Sequence, residues 1–301
     1  MMQSKKDLRI WESHMAGWVR VTGEDAADYL QSQFSNDLHR PEKNPVTYGL
    51  FLGLKGKVRA DAFVCQRGPE CFEVISYHST SENLEILLAE NVIADEVYFE
   101  KQDFSKWVVI AGGNGWENGP EFPLEGCFSD TRGFFSFHGR WMPEEHFDVL
   151  VPSGFVSAWE NTFYSFDKLK HLQVQSGRPS VPTDIGLGDL PQEGGLEHDA
   201  VSFNKGCYLG QEVMARLKAM GRVQRRLFRA EGSGDAPAYG DTILCGEDVA
   251  GEVRSSSGSP NVNGWVAIVM LRRRFAEMAE PGPWFLKDGT GLTITDNILH
   301  E

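Results

Sequence analysis

Apolar positions recur along the chain in short, separated runs, with no long periodic block. Residues 17–37 read as a strand followed by a helix. Ala26, Tyr29, Leu30 and Phe34 fall at helical spacing, and Thr22 with Asp25 three residues later is a capping-box pattern at the helix start. From Tyr48 to Cys65 the apolar runs are broken by Gly53 and Gly56, which predicts two strands around a turn at Lys55-Gly56-Lys57. Leu84 to Ala94 is apolar at helical spacing, Trp107 to Ala111 predicts a buried strand, and Phe147 to Val151 a further strand. Gly112-Gly113-Asn114-Gly115, with Pro120 and Pro123 after it, reads as a loop. Phe155, Trp159, Phe163 and Phe166 then form an apolar stripe on a helix that Ser153 could cap.

The second half of the chain changes character. Residues 176–200, rich in glycine, proline and acid, read as an ordered loop. Gln211 to Met220 predicts a short helix with Val213, Leu217 and Met220 on one face, a Glu212–Arg216 pair in the favourable order, and Gly221 as its C′ residue. Beyond Gly221 come short β-like runs at 251–255, 265–271 and 292–298, separated by turn signals at Ser257-Gly258-Ser259-Pro260, Asn263-Gly264 and Asp288-Gly289. Strand–helix–strand alternation with few long parallel crossovers favours an α+β fold over a doubly wound sheet. The expected organisation is an α+β region over residues 1–221 and a small β-barrel over 222–301.

Composition narrows the functional classes. The 301 residues, 41% hydrophobic and 24% charged, are enough for about two or three globular domains. A net charge of −14 argues against general attraction to nucleic acid or anionic membranes, and leaves room for a local basic face. Cys65, Cys71, Cys127, Cys207 and Cys245 are scattered, with no Cys-x-x-Cys, so a zinc ribbon, a dithiol motif or a disulfide framework is not supported. The first residues lack the apolar core of a leader and no apolar run reaches the roughly 20 residues of a membrane span. A reduced cytoplasmic setting without membrane attachment is the expectation.

Three features carry candidate chemistry. Lys205-Gly206-Cys207-Tyr208-Leu209-Gly210-Gln211-Glu212 sets a cysteine between glycines, beside a lysine and ahead of a helix start, the surroundings that stabilise a thiolate. A structural cysteine and a solvated Glu212–Arg216 pair are the plain alternative. Arg216, Lys218, Arg222, Arg225, Arg226 and Arg229 form a basic cluster with no acid between Glu212 and Glu231, suited to carboxylates or phosphates, although simple exposure accounts for most of them. Arg272-Arg273-Arg274 reads as a solvated strand end. Asp61, inside Ala60-Asp61-Ala62-Phe63-Val64, is expected on an exposed face, since a buried carboxylate needs a partner. There is no G-x-S-x-G, H-E-x-x-H or Walker A loop, which removes common hydrolase and nucleotide readings.

The octapeptide resembles the signature of YgfZ-type proteins, folate-binding relatives of the glycine-cleavage T-protein that support iron–sulfur enzymes. The resemblance extends to Val21-x-Gly23-x-Asp25-Ala26, Ser35-Asn36-Asp37, Gly49-x-Phe51-Leu52, Pro191-Gln192-Glu193, Val201-Ser202-Phe203, Gly221-Arg222-Val223 and Ala267-x-Val269-x-Leu271-Arg272. It implies an α+β, T-protein-like three-domain ring, with two ferredoxin-like domains and the C-terminal barrel around a folate-sized channel. By the same resemblance Cys207 is a functional thiol and Asp61 matches the catalytic aspartate of T-proteins. Lys205, Gln211, Glu212, Arg216, Arg222 and Gln175 are then expected to bind tetrahydrofolate or a derivative. Gln175 departs from the family pattern: T-proteins carry a pterin-gripping glutamate there, and an amide cannot act as an anion. The resemblance thus implies a folate-binding protein that supports the assembly or repair of iron–sulfur clusters on client proteins and affects tRNA modification indirectly. Nothing in the sequence pattern demands more than a monomer, and no metal ligands are expected. A tetrahydrofolate-dependent aminomethyl- or methyltransferase is the alternative, and a scaffold whose arginines contact tRNA is the third reading.

Overall fold

The computed structural model describes residues 8–102, 106–112, 120–151, 163–259, 263–278 and 283–297. The chain forms two compact units. The first, Met1–Phe51, Ala60–Leu169 and Ala200–Leu209, opens with strands β1 (Arg9–Ser13) and β2 (Gly17–Thr22) and helix α1 (Ala26–Gln33). Strands β3 (Val46–Leu52), β4 (Val58–Gly68) and β5 (Cys71–Ser76) follow, then helix α2 (Ser81–Ala89) and strands β6 (Tyr98–Lys101), β7 (Lys106–Ala111), β8 (Phe128–Thr131), β9 (Phe134–His138), β10 (His146–Val151) and β11 (Phe163–Tyr164). Helix α3 (Phe166–Gln175) begins in this unit.

These strands make two sheets, ordered β3-β4-β5-β2-β6 and β11-β1-β7-β10-β9-β8. The two-residue period of a strand decides what each face buries. In the first sheet Val19, Val21, Ala60, Ala62, Val64 and Val74 pack against Leu30 and Phe34 of α1 and Leu84 and Leu88 of α2. The alternate residues turn to the second sheet: Trp18 meets Trp107 edge-on at 6.2 Å and Phe63 meets Phe137 at 4.8 Å. In the second sheet Ile10, Val108, Ile110 and Val149 build a core on the far side. Asp61, two residues before Phe63, and Asp148, opposite Phe137 in the register, therefore lie between two apolar sheets.

The second unit comprises Leu52–Arg59, Lys170–Asp199 and Gly210–Glu301. It holds most of α3, a 3-10 turn at Pro191–Glu193, helix α4 (Gln211–Met220) and a closed barrel. The barrel strands are β12 (Arg225–Ser233), β13 (Thr242–Cys245), β14 (Asp248–Gly258), β15 (Gly264–Arg272), β16 (Trp284–Leu286) and β17 (Gly291–Asn297), ordered β12-β15-β14-β13-β16-β17, with the single turn α5 (Arg273–Ala276) after β15. Closure leaves no unpaired edge. Phe228, Ala230, Ile243, Val253, Trp265, Ala267, Val269 and Leu271 fill the interior. The fold is mixed α+β with a six-stranded C-terminal barrel, and among the described residues no helix is long and apolar enough to cross a membrane.

Several local expectations need correction. Thr22 does not cap α1: Asp25 is the N-cap, and its carboxylate accepts from the Glu96 backbone N–H at 2.7 Å instead of closing a capping box. The helix expected from Leu84 begins earlier and ends at Ala89; Thr80 caps it by accepting from the Asn83 N–H at 3.3 Å. Ser153, Phe155 and Trp159 lie outside the described residues. Phe163 sits in β11, paired parallel to Ile10, and Phe166 opens α3, so the two do not share one helix. The hairpin at Lys55-Gly56-Lys57 forms as expected, closed by Gly53 N–H to the Lys57 carbonyl at 2.9 Å. Gly221 ends α4 in extended backbone at φ −92°, not as a left-handed cap.

Candidate functional site

Asp61 is 4% exposed, which overturns the expected solvent-facing position. The strand alternation turns it towards the second sheet, so its partners must be internal. Tyr48 on β3 donates its hydroxyl to Oδ2 at 2.9 Å, and the Ser76 hydroxyl donates a long 3.4 Å bond to Oδ1. Burial pushes the carboxyl up to about 6, while the Tyr48 bond and the Arg140 charge pull the other way. The Arg140 guanidinium lies 3.8 Å from the Tyr48 ring centroid, a cation–π contact that fixes the ring. Tyr48 and Arg140 are both half-buried, which gives the buried acid a partly exposed rim. A carboxyl tuned to about 6 is near enough to neutrality to give or take a proton.

A second acid adjoins this group, and nothing in the sequence pointed to it. The Arg140 backbone N–H donates to Tyr77 Oη at 2.9 Å; Tyr77 donates in turn to Asp148 Oδ2 at 2.5 Å, and Trp141 Nε1 donates to Oδ1 at 3.1 Å. His146 Nε2 accepts from the Trp141 N–H at 3.0 Å. Asp148 is fully buried, the Tyr77 and Trp141 groups that donate to it are neutral, and burial pushes it up to about 7. Tyr77, deprived of solvent and beside Asp148, has its phenol held well above the usual range. Gly139 leaves room for this acid: a Cβ there would lie 2.5 Å from Asp148 Oδ2.

The octapeptide divides by employment. Lys205 Nζ donates to the backbone carbonyls of Gln31 at 2.7 Å, Phe34 at 2.7 Å and Asn36 at 2.8 Å. It thereby satisfies the C-terminal end of α1, where carbonyls lack helical partners. Burial lowers its pKa to about 8, opposed by Asp37. The ammonium is thus a clasp on α1, not the loose cation expected beside the thiol. Cys207 is exposed. Tyr208 is buried, its ring 5.3 Å from the lysine nitrogen.

Gly210 opens α4 at φ +86°, and a Cβ there would meet the Gly53 carbonyl at 2.8 Å and the Gly56 Cα at 3.3 Å. Gly56, at φ +68°, is pressed in the same way against Val213 and Met214. The glycines of the octapeptide and of the Lys55-Gly56-Lys57 turn thus fit one another, backbone to backbone. Gln211 is half-buried; Glu212 and Arg216 are exposed and form no ion pair with each other, contrary to expectation. Of the α4 residues Met214 is fully buried, and Gln192 Nε2 donates to its sulfur at 3.2 Å.

The members of the basic cluster differ in their surroundings. Arg225 reaches Asp189 at 2.8 Å and Glu193 at 3.0 Å, and Arg254 adds a 3.3 Å contact to Asp189. Arg229 donates to the Gln175 carbonyl at 2.8 Å, and the Gln175 side chain is exposed at the end of α3. Arg222 and Arg226 are exposed.

No protein-family model matches the chain. The solved aminomethyltransferase T of the glycine cleavage system from Bartonella henselae superposes with a TM-score of 0.78 over 96% of this chain and 85% of its own, at 15% identity. The architecture is therefore of the T-protein type. A protein of Sodalis glossinidius named tRNA-modifying protein YgfZ is 38% identical over 245 residues, covering 75% of this chain and 73% of its own. The chain belongs to the YgfZ family. The Photorhabdus laumondii protein of that name is 25% identical over 93% of this chain and 88% of its own. The mouse mitochondrial iron–sulfur cluster assembly factor IBA57 is 28% identical over 80% of this chain and 72% of its own.

Proposed function

We propose that this protein binds a folate and supports the assembly or repair of iron–sulfur clusters on client proteins in the cytoplasm, with an indirect effect on tRNA modification. The observation that carries the proposal is membership of the YgfZ family, with the likeness to an iron–sulfur cluster assembly factor beside it. The donor set around Asp61 is compatible with a reduced pterin. A reduced pterin keeps a conjugated pyrimidinone ring and is rich in N–H donors; Asp61 is a buried acceptor whose Oδ1 takes a long 3.4 Å bond from Ser76, and the ring of its partner Tyr48 packs on Phe63, which in turn meets Tyr77. When bound, the folate would supply one-carbon or redox chemistry; Asp61 would hold an N–H and Tyr48 would orient the acid. The Gln175 amide speaks against an anionic grip at that position.

Cys207 is the thiol we assign to function, since its exposure leaves it open to a partner. Calorimetric titration of the reduced protein with tetrahydrofolate tests the folate part, and micromolar binding weakened in Asp61→Asn is the expected result. Complementation of a strain lacking its own YgfZ tests the thiol. Cys207→Ser should fold with unchanged stability, within about 0.5 kcal/mol, yet fail to restore cluster-enzyme activity; normal rescue would remove the thiol from the proposal. The burial of Asp61 favours a second reading, aminomethyl or methyl transfer to tetrahydrofolate with Asp61 as the acid–base group. Turnover lost in Asp61→Asn would establish that reading, and no turnover with any one-carbon donor would end it.

A further inference from the structure

A cleft of about 390 Å³ on the barrel is lined by Gln224, Arg225, Arg272, Arg273 and Arg274. The sequence suggests only a solvated strand end at this point; the barrel closes it onto the start of another strand. Arg272 on β15 stands opposite Arg225 on β12 in the register, and the Arg273 N–H donates to the Gln224 carbonyl at 2.8 Å. Arg225 is tied to Asp189 at 2.8 Å and Arg273 to Glu277 at 2.6 Å, so these two guanidinium groups are already compensated.

The rest are not. Arg272, Arg274, Arg222 and Arg226 are exposed, and among the described residues no carboxylate pairs with any of them. Arg222 and Arg226 do not line the cleft, but both act by their charge on Glu277, the ion-pair partner of Arg273. Arg274 is braced on the Phe275 ring at 4.5 Å. Among the described residues Glu277 is the acid set against Arg222, Arg226 and Arg273 together, and like charges in this excess repel. The group is made of arginines without a lysine, and the guanidinium fork matches tetrahedral oxyanions in bidentate fashion. We propose that this cleft is a binding site for phosphate groups, carried either by an RNA backbone or by a small polyphosphate or nucleotide. The site stands apart from the folate proposal and does not rest on it.

The test uses the full chain with two probes, inorganic tripolyphosphate by calorimetry and labelled bulk tRNA by fluorescence anisotropy at several salt concentrations. The comparison is the double variant Arg272→Glu/Arg274→Glu against Lys287→Glu, an equal kind of charge reversal at an exposed position of the β16–β17 turn. Tripolyphosphate should bind the parent and Lys287→Glu, and at least about tenfold more weakly the double variant. If tRNA also binds, with a salt slope lowered by about one for each arginine reversed, the RNA backbone is the source. Tripolyphosphate binding without tRNA binding assigns a small phosphate ligand. Absence of both, equal loss in Lys287→Glu, or equal binding of an oligoglutamate peptide would overturn the proposal.

Discussion

The Tyr48 hydroxyl donates to Asp61 Oδ2 at 2.9 Å, and this bond opposes the burial that raises the carboxyl to about 6. A hydrogen bond to the charged form favours ionisation. In Tyr48→Phe that support is gone while the ring and its Arg140 contact remain. Asp61 should then titrate above its parent value, followed by carbon NMR of the carboxyl across pH 4–9. An unchanged midpoint would mean that water, not Tyr48, solvates the acid.

Asp148 makes a separate pH prediction. Its carboxyl is about 7 in the folded protein against 3.8 for the free side chain, so between these values the folded state holds the extra proton. Stability from this group is therefore full below about pH 4 and is lost as pH rises towards and through about 7. The loss amounts to a few kcal/mol. Asp148→Asn keeps acceptor and donor atoms in reach of Tyr77 and Trp141 without the charge. The parent should lose stability relative to this variant between pH 5 and pH 8 in urea unfolding. Parallel curves for the two proteins would show that Asp148 is ionised throughout.

The sequence made the barrel and the Lys55-Gly56-Lys57 hairpin legible because turn residues and short alternating runs are local signals. It could not choose the face for Asp61. Ala60, Ala62, Phe63 and Val64 leave β4 without alternation, since one side packs on helices and the other on a second sheet. Burial on both sides erases the period that would have told them apart. Lys205 stands out in the sequence for its neighbour Cys207, whereas its three carbonyl partners lie about 170 positions upstream, where no local pattern reaches. Asp148 had no motif at all, and only the packing of the two sheets sets it beside Tyr77.

Two glycines separate strain from contact. Gly210 and Gly246 both have positive φ, +86° and +61°, but a Cβ at Gly246 meets nothing within 4 Å whereas one at Gly210 strikes the Gly53 carbonyl at 2.8 Å. Gly246→Ala should cost only the left-handed backbone penalty, about 1 kcal/mol. Gly210→Ala adds a backbone clash and should cost clearly more, about 3 kcal/mol. Denaturant midpoints measure both. Equal costs would mean that the turn at Gly56 yields freely to α4.

Arg225 and Arg226 are neighbours in a basic run, and the fold gives them opposite consequences. Arg225 answers Asp189 and Glu193, whose side chains are each 5% exposed. Its removal leaves these two buried carboxylates with Arg254, which contacts Asp189 and is shared with Glu252. Breaking a buried pair from one side typically costs about 3–5 kcal/mol, because the surviving charge is desolvated without compensation. Arg226 faces solvent and forms no ion pair among the described residues, and truncating it should change stability by no more than about 0.5 kcal/mol. Arg225→Ala should therefore unfold at much lower urea concentration than Arg226→Ala. Adding Asp189→Asn and Glu193→Gln should recover most of the loss, since the amides keep hydrogen-bonding capacity without the charge. If the triple variant is no more stable than Arg225→Ala, the loss comes from packing of the arginine stem and not from stranded charge.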